Sequence, residues 1–151
     1  MPEPRPKARF VYEIYIAATP ETVWKALLDG EFTSQYWEQD NVSDWKPGST
    51  WEHVDSRDRR VRLLGEVLEA SAPHRLVLTW AEPADRARRD RHSRLTFEIE
   101  QVADMVRLRI THDDLEPGSK MERDITQGWP RVLSSLKSLL ETGRPLKTWA
   151  R

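Results

Sequence analysis

The sequence predicts an α+β fold. A strongly twisted antiparallel sheet of about seven strands wraps around one long C-terminal helix, with two short helices between the first strand and the second. Two patterns carry this reading. Between residues 10 and 112, apolar side chains recur at every second position between short polar turns, the period of strands with one buried face. From Met121 to Leu140 the recurrence changes to every third or fourth residue, the period of a helix with one buried stripe. A chain of 151 residues is one domain by length. The domain is expected over residues 10–146, between a flexible N-terminal tail (1–9) and a short C-terminal tail (147–151).

Taken in order, Phe10, Tyr12, Ile14 and Ile16 share one face of the first strand. Thr19-Pro20 then supplies N-cap chemistry with proline at the first helical position, opening a short helix that runs to Gly30. A second helical piece covers about 31–36 and leads into Trp37. A short segment near 42–45 precedes the turn Lys46-Pro47-Gly48-Ser49, which feeds a strand over 50–55. After a polar turn at 56–59, a strand over 61–70 carries Val61, Leu63, Gly65 and Val67 on its more apolar face. Leu76, Leu78 and Trp80 mark the inner face of the next strand. Beyond a charged connection over 82–91, so do Leu95, Phe97 and Ile99, and then Val106, Leu108, Ile110 and His112. Short turns between successive strands specify antiparallel pairing. In the final helix Pro130 removes one backbone donor, so a kink or loosening is expected beside Gly128-Trp129. Gly143 and Pro145 end it.

Composition narrows the function classes. Twenty-four Lys and Arg against 25 Asp and Glu leave a net charge of −1, which gives no global attraction to nucleic acid or an anionic membrane. The absence of cysteine removes disulfides, thiolate nucleophiles and Cys-based metal sites, and suits a reducing compartment. The opening MPEPRPKARF lacks an apolar core segment, and no run approaches 18 apolar residues. Neither a secretory leader nor a membrane span is expected, and the location implied is cytoplasmic. Seven tryptophans are the anomaly. One helix cannot seal a strongly twisted sheet along its whole length, and aromatic side chains are the usual lining of the apolar volume left open.

These segments resemble a known family. Ala18-Thr19-Pro20-Glu21-Thr22-Val23-Trp24-Lys25-Ala26-Leu27 is similar to the opening of the helix-grip, START-like (SRPBCC) superfamily. Further matches are Trp45-Lys46-Pro47-Gly48-Ser49, Leu76-Val77-Leu78-Thr79-Trp80 and the closing Gly128-Trp129-Pro130-Arg131-Val132-Leu133. Within the superfamily the chain most resembles homologues of the heat-shock protein 90 ATPase activator, over about residues 10–146. The resemblance implies a seven-stranded sheet gripping the C-terminal helix, with a cavity between them. It also implies relatives that bind lipids, sterols, polyketides or plant hormones, with a few cyclases and aromatases among them.

The candidate site is therefore a pocket for a small hydrophobic or aromatic molecule. Trp37, Trp51, Leu63, Trp80, Phe97, Trp129 and Leu133 would supply contact area, and His53 and His112 on inward faces would orient a polar group. The loop at Trp37 and the backbone at Gly128–Pro130 are the expected gates. The other reading of the aromatics is plain core, and the other reading of each histidine is a strand-end ring bonded to a neighbour such as Asp113. No metal or cofactor is expected, for want of cysteine or of a His-x-x-x-His spacing. Arg86, Arg88, Arg89, Arg91 and Arg94 read as a solvated loop rather than a nucleic-acid footprint, since no aromatics interleave. No compact Ser/His/Asp arrangement or phosphate-cradling glycine loop is present. Two alternatives stand beside ligand binding. One is a cyclase-, aromatase- or hydrolase-type enzyme using His112 or His53 in the same cavity. The other is a stress-related, co-chaperone-like interaction module, which requires an exposed apolar patch on the outer sheet face. Sheet edges that could pair make a homodimer a candidate assembly.

Overall fold

The computed structural model describes residues 6–148. In chain order they form β1 (Ala8–Ile16), α1 (Pro20–Leu28), α2 (Gly30–Trp37), β2 (Gln39–Ser43), β3 (Thr50–Asp55), β4 (Val61–Ser71), β5 (Arg75–Trp80), β6 (Ser93–Val102), β7 (Met105–Leu115) and α3 (Lys120–Thr142). Two single 3-10 turns, Pro83–Asp85 and Arg89–Arg91, interrupt the charged connection between β5 and β6. The seven strands make one antiparallel sheet in the order β1-β7-β6-β5-β4-β3-β2. The first strand thus lies beside the last, and α1 and α2 carry the chain from one edge of the sheet to the other.

Local chemistry sets the helix ends. The Thr19 hydroxyl accepts from the Thr22 amide at 3.2 Å ahead of Pro20, and the Asp29 carboxylate accepts from the Glu31 amide at 2.9 Å to start α2. At α3 the Ser119 hydroxyl accepts from the Glu122 amide, while the Glu122 carboxylate reaches back to the Gly118 amide at 2.8 Å. Gly143, at φ 81°, closes that helix in the left-handed conformation that suits glycine. Pro130 lies inside α3, which runs unbroken from Lys120 to Thr142.

The inner sheet face and the α3 stripe bury one continuous core. Val67, Leu76, Leu78, Leu95, Val106, Leu108 and Ile110 from the strands meet Ile125, Val132, Leu133, Leu136 and Leu139 from the helix. The sequence reading and the structure differ at three places. The chain enters the sheet at Ala8 rather than residue 10, held by Arg9–Asp113 (2.5 Å) and Lys7–Glu116 (2.6 Å). The second strand is Gln39–Ser43, not 42–45, because Glu38 (φ 62°) ends α2 abruptly and Trp45 (φ 58°) already turns the chain. In β4 the register slips between Val67 and Glu69. Leu68 is left on the surface, and Ala70 rejoins the core instead of Glu69.

The outer face carries a lattice of cross-strand charge pairs. Glu13, Arg109, Glu98 and Arg75 stand opposite one another across β1, β7, β6 and β5. Arg109 pairs with Glu13 at 2.5 Å, Arg75 with Glu98 at 3.6 Å and with Glu69 at 3.2 Å, and Arg107 with Glu100 one row along. The outward apolar residues Val11, Tyr15, Leu68 and Met105 lie on β1, β4 and β7 around these pairs, Tyr15 directly opposite Arg107. Among the described residues, no helix is long and apolar enough to cross a membrane.

Candidate functional site

Three indoles from three different elements converge between the sheet and α3. Trp37 ends α2, Trp80 ends β5, and Trp129 sits mid-way along α3. Their ring centroids lie 5.1 Å (Trp37–Trp129), 5.8 Å (Trp80–Trp129) and 6.3 Å (Trp37–Trp80) apart, so they pack as one wall. Against this wall opens a half-enclosed cleft of about 160 Å³, completed by Leu63, Ile125 and Val132, with Gly128 and Met121 along α3. Glu82, two residues beyond Trp80, and Asp124 place carboxylates at its rim. Trp80 keeps its Nε1–H buried with no acceptor among the described residues.

Trp51 is placed by an unusual local arrangement. The β4–β5 ladder is bonded at Leu64–Ala81 and Val67–Leu78, but between them the Thr79 carbonyl accepts from Trp51 Nε1 at 2.8 Å. The Thr79 hydroxyl accepts from the Glu66 amide, also at 2.8 Å. The indole passes over Gly65, where a Cβ would stand 1.9 Å from the Thr79 oxygen and 2.7 Å from Trp51 Nε1. Trp51 in turn supports Trp80 at 5.3 Å between centroids.

Both inward histidines are buried and hydrogen-bonded. His112 is fully committed. The Ser93 hydroxyl donates to the Trp80 carbonyl (3.2 Å), so at 2.6 Å His112 Nε2 must be the donor to Ser93 Oγ. His112 Nδ1 is then the acceptor for Trp129 Nε1–H, at a long 3.4 Å. Each proton therefore runs from Trp129 toward β5, opposite to the direction in which a base would activate a serine. His112 retains no free nitrogen to orient a ligand or to act as an acid or base, and the bonded neighbour is Ser93 rather than Asp113. His53 Nδ1 meets Asn41 Oδ1 at 2.6 Å, and Asn41 is itself anchored by donating to the Leu27 carbonyl at 3.0 Å. His53 also abuts the edge of Trp37, 4.3 Å between centroids. Burial depresses both imidazoles to about 3; for His53 this outweighs the opposing pull of Asp40 and Asp55. Among the described residues, no three His, Asp or Glu side chains are grouped to hold a metal.

Of the nine residues singled out from the sequence, Trp37, Leu63, Trp80 and Trp129 line the cleft directly. Trp51, His53, Phe97, His112 and Leu133 stand behind that wall as its support, Phe97 edge-on to Trp129 at 5.8 Å and Leu133 wholly buried. Gly128, part of an expected gate, does line the cleft; Met121, Ile125 and Val132 were legible as helix-stripe residues, but nothing in the sequence marked those three as cleft lining. Glu82 and Asp124 carried no signal at all. In the arginine cluster, Arg89 pairs with Glu66 (2.6 Å), Arg88 with Asp90 (3.1 Å), Arg91 with Asp85 (3.3 Å) and Arg86 with Glu52 (3.9 Å). Trp149 lies outside the described residues.

Comparison with known proteins places this geometry. The fold matches the Aha1 dimer from Colwellia psychrerythraea with a TM-score of 0.74 at 21% identity, covering 90% of this chain and 98% of that one. It matches an HSP90 activator from Plasmodium falciparum at 0.73 and 22%, covering 92% and 99%. It also matches CalU16 from Micromonospora echinospora at 0.72 and 16%, covering 91% and 78%. No protein with a curated function matches by sequence. The family model described as Activator of Hsp90 ATPase homolog 1-like protein matches residues 17–141, and the chain belongs to that family.

Proposed function

We propose that this protein binds a small, flat, apolar molecule in the cleft between the sheet and α3, with Trp37, Trp80 and Trp129 as the contact wall. The observation that carries the reading is the cleft itself: about 160 Å³, half-enclosed and walled by three indoles that three separate elements bring together. An apolar cavity of roughly 150 Å³ holds a benzene ring, so the space accepts one aromatic ring without rearrangement. The setting is cytoplasmic, in keeping with a chain free of cysteine. A second copy is the candidate protein partner, since β1 and β2 form the two edges of the sheet and the Colwellia relative is a dimer.

The test is titration of the full chain with 2-phenylethanol, followed by tryptophan fluorescence and by chemical shifts of the seven indole N–H groups. Saturable shifts confined to Trp37, Trp80 and Trp129 are expected. Val132→Phe should fill the cleft and weaken binding about tenfold or more while near-UV circular dichroism stays native. Binding unaffected by that substitution would place the ligand elsewhere.

A second reading, stimulation of an Hsp90-type ATPase, draws on the family match and on the Plasmodium activator. Adding the chain to Hsp90 and measuring ATP turnover separates the two. Replacing outward apolar residues of the sheet, as in Val11→Asp/Tyr15→Asp, would alter stimulation, whereas Val132→Phe would not.

A further inference from the structure

The apolar cleft does not end at its rim. Glu82 and Met121 belong both to it and to a larger polar groove of about 540 Å³ that runs between the β5–β6 connection and the start of α3. A molecule whose ring lies on the indoles would therefore project its remaining atoms into this groove, and the groove's charge decides what those atoms can be.

That charge is negative. Together the two spaces are lined by six carboxylates and four cations. Arg88 and Arg91 are held by Asp90 and Asp85, at 3.1 and 3.3 Å. Lys7 is held by Glu116 at 2.6 Å, and Lys120 by Asp124 at 2.7 Å. Glu82 and Asp114 are left without an ion pair among the described residues. Lys120 feels Glu82 as well as Asp124, so there one cation stands between two acids. Arg123, beside Asp124, is turned to the Gly118 carbonyl at 2.8 Å and lines neither space. An indole wall adds to the same preference, because the negative face of the ring attracts cations and tryptophan does so most strongly.

We propose that the cleft and its groove select a cationic aromatic ligand, with the ring against Trp37 and Trp129 and a protonated amine in the groove beside Glu82 and Asp114. This inference rests on the cleft as the binding site and adds the sign of the ligand's charge. It argues against a fatty-acid-like or other carboxylate ligand, whose head group would meet Glu82 and Asp114, neither of them held in an ion pair among the described residues.

Three probes of one shape test it on the full chain by calorimetry at pH 7: 2-phenylethylamine (a cation), 2-phenylethanol and phenylacetate. The amine should bind about tenfold or more tighter than phenylacetate, with the alcohol between them. The amine-to-alcohol ratio should shrink in 1 M salt, where exposed charges are screened within about 3 Å. In Glu82→Gln/Asp114→Asn that ratio should fall about threefold or more. Asparagine suits position 114, whose φ of 59° is left-handed. Equal binding of amine and alcohol, or tightest binding by phenylacetate, would overturn the charge selection while leaving the cleft as a binding site. A ratio unchanged in the double variant would overturn the assignment to these two carboxylates. Binding by none of the three would overturn both this inference and the reading beneath it.

Discussion

At the scale of single residues, the buried imidazoles show how the interior of this protein handles polarity. His112 stands opposite Leu95 and against two indoles, Trp80 and Trp129, and is tolerated because each of its nitrogens has one partner of the right kind. Removing Ser93 breaks that arrangement: Ser93→Ala leaves His112 Nε2–H without an acceptor in a site where water does not reach. A loss of about 1–3 kcal/mol is expected by urea denaturation. The two histidines also set an acid limit. Their folded-state values near 3 lie below the unfolded value near 6.5, so the unfolded chain binds more protons in between. Stability is therefore full above about pH 6.5 and falls as pH drops toward 3. The slope is about 1.4 kcal/mol per pH unit for each imidazole. Denaturation between pH 6.5 and 5, above the carboxylate range, should show an uptake approaching two protons, and His112→Leu should show one fewer. A flat profile there would mean that the rings are not buried neutral.

At the scale of elements, the interruption in the β4–β5 ladder has a specific consequence. Thr79 gives its carbonyl to an indole instead of a strand amide, and Gly65 is the gap through which that indole lies. A methyl group at 65 meets backbone, not a flexible side chain, so the strands themselves would have to part. Gly65→Ala is expected to cost at least about 2–3 kcal/mol, measured as a shift of the denaturation midpoint. Loss of the Trp51–Trp80 contact in the near-ultraviolet circular dichroism would accompany it. The same substitution at Gly48, whose surroundings are open but whose φ is 90°, should act only through backbone strain of about 1 kcal/mol. α3 shows the converse case. Pro130 withholds one amide, yet the helix persists because Ile125, Trp129, Val132, Leu133 and Leu136 bury its stripe on both sides of the proline.

For the whole molecule, the charge lattice on the outer face and the cleft on the inner face divide the labour. Exposed ion pairs contribute little each, so the lattice keeps the sheet's outer surface charged without holding the fold together. Raising salt from 0.1 to 1 M should change the unfolding free energy by no more than about 1–2 kcal/mol. Ligand binding should act more strongly. A ligand at one hundred times its dissociation constant adds about 2.7 kcal/mol to a fold that binds it only when folded. For a chain of this size that is a rise of several degrees in Tm, read by calorimetry. The same compounds should leave Val132→Phe unmoved.

Much of this molecule was legible before any coordinates. Alternation located the strands, the change of period located α3, and Thr19-Pro20 and Gly143 located helix ends, because these features depend on neighbours within a few residues along the chain. What alternation reports is which way a side chain points, not how deep it ends up. The bulge at Leu68, the left-handed turns at Glu38 and Trp45, and the passage of Trp51 over Gly65 shift or redirect residues in ways the pattern cannot register. Four of the nine singled-out residues therefore line the cleft, while five form the layer behind it. Glu82 and Asp124 reach the rim from a loop and a helix some forty residues apart. The sequence by itself determined a two-faced sheet, one long helix and a surplus of indoles. Only the packing of helix on sheet decided which indoles face open space and which carboxylates go unpaired, since both depend on contacts between residues far apart in the chain.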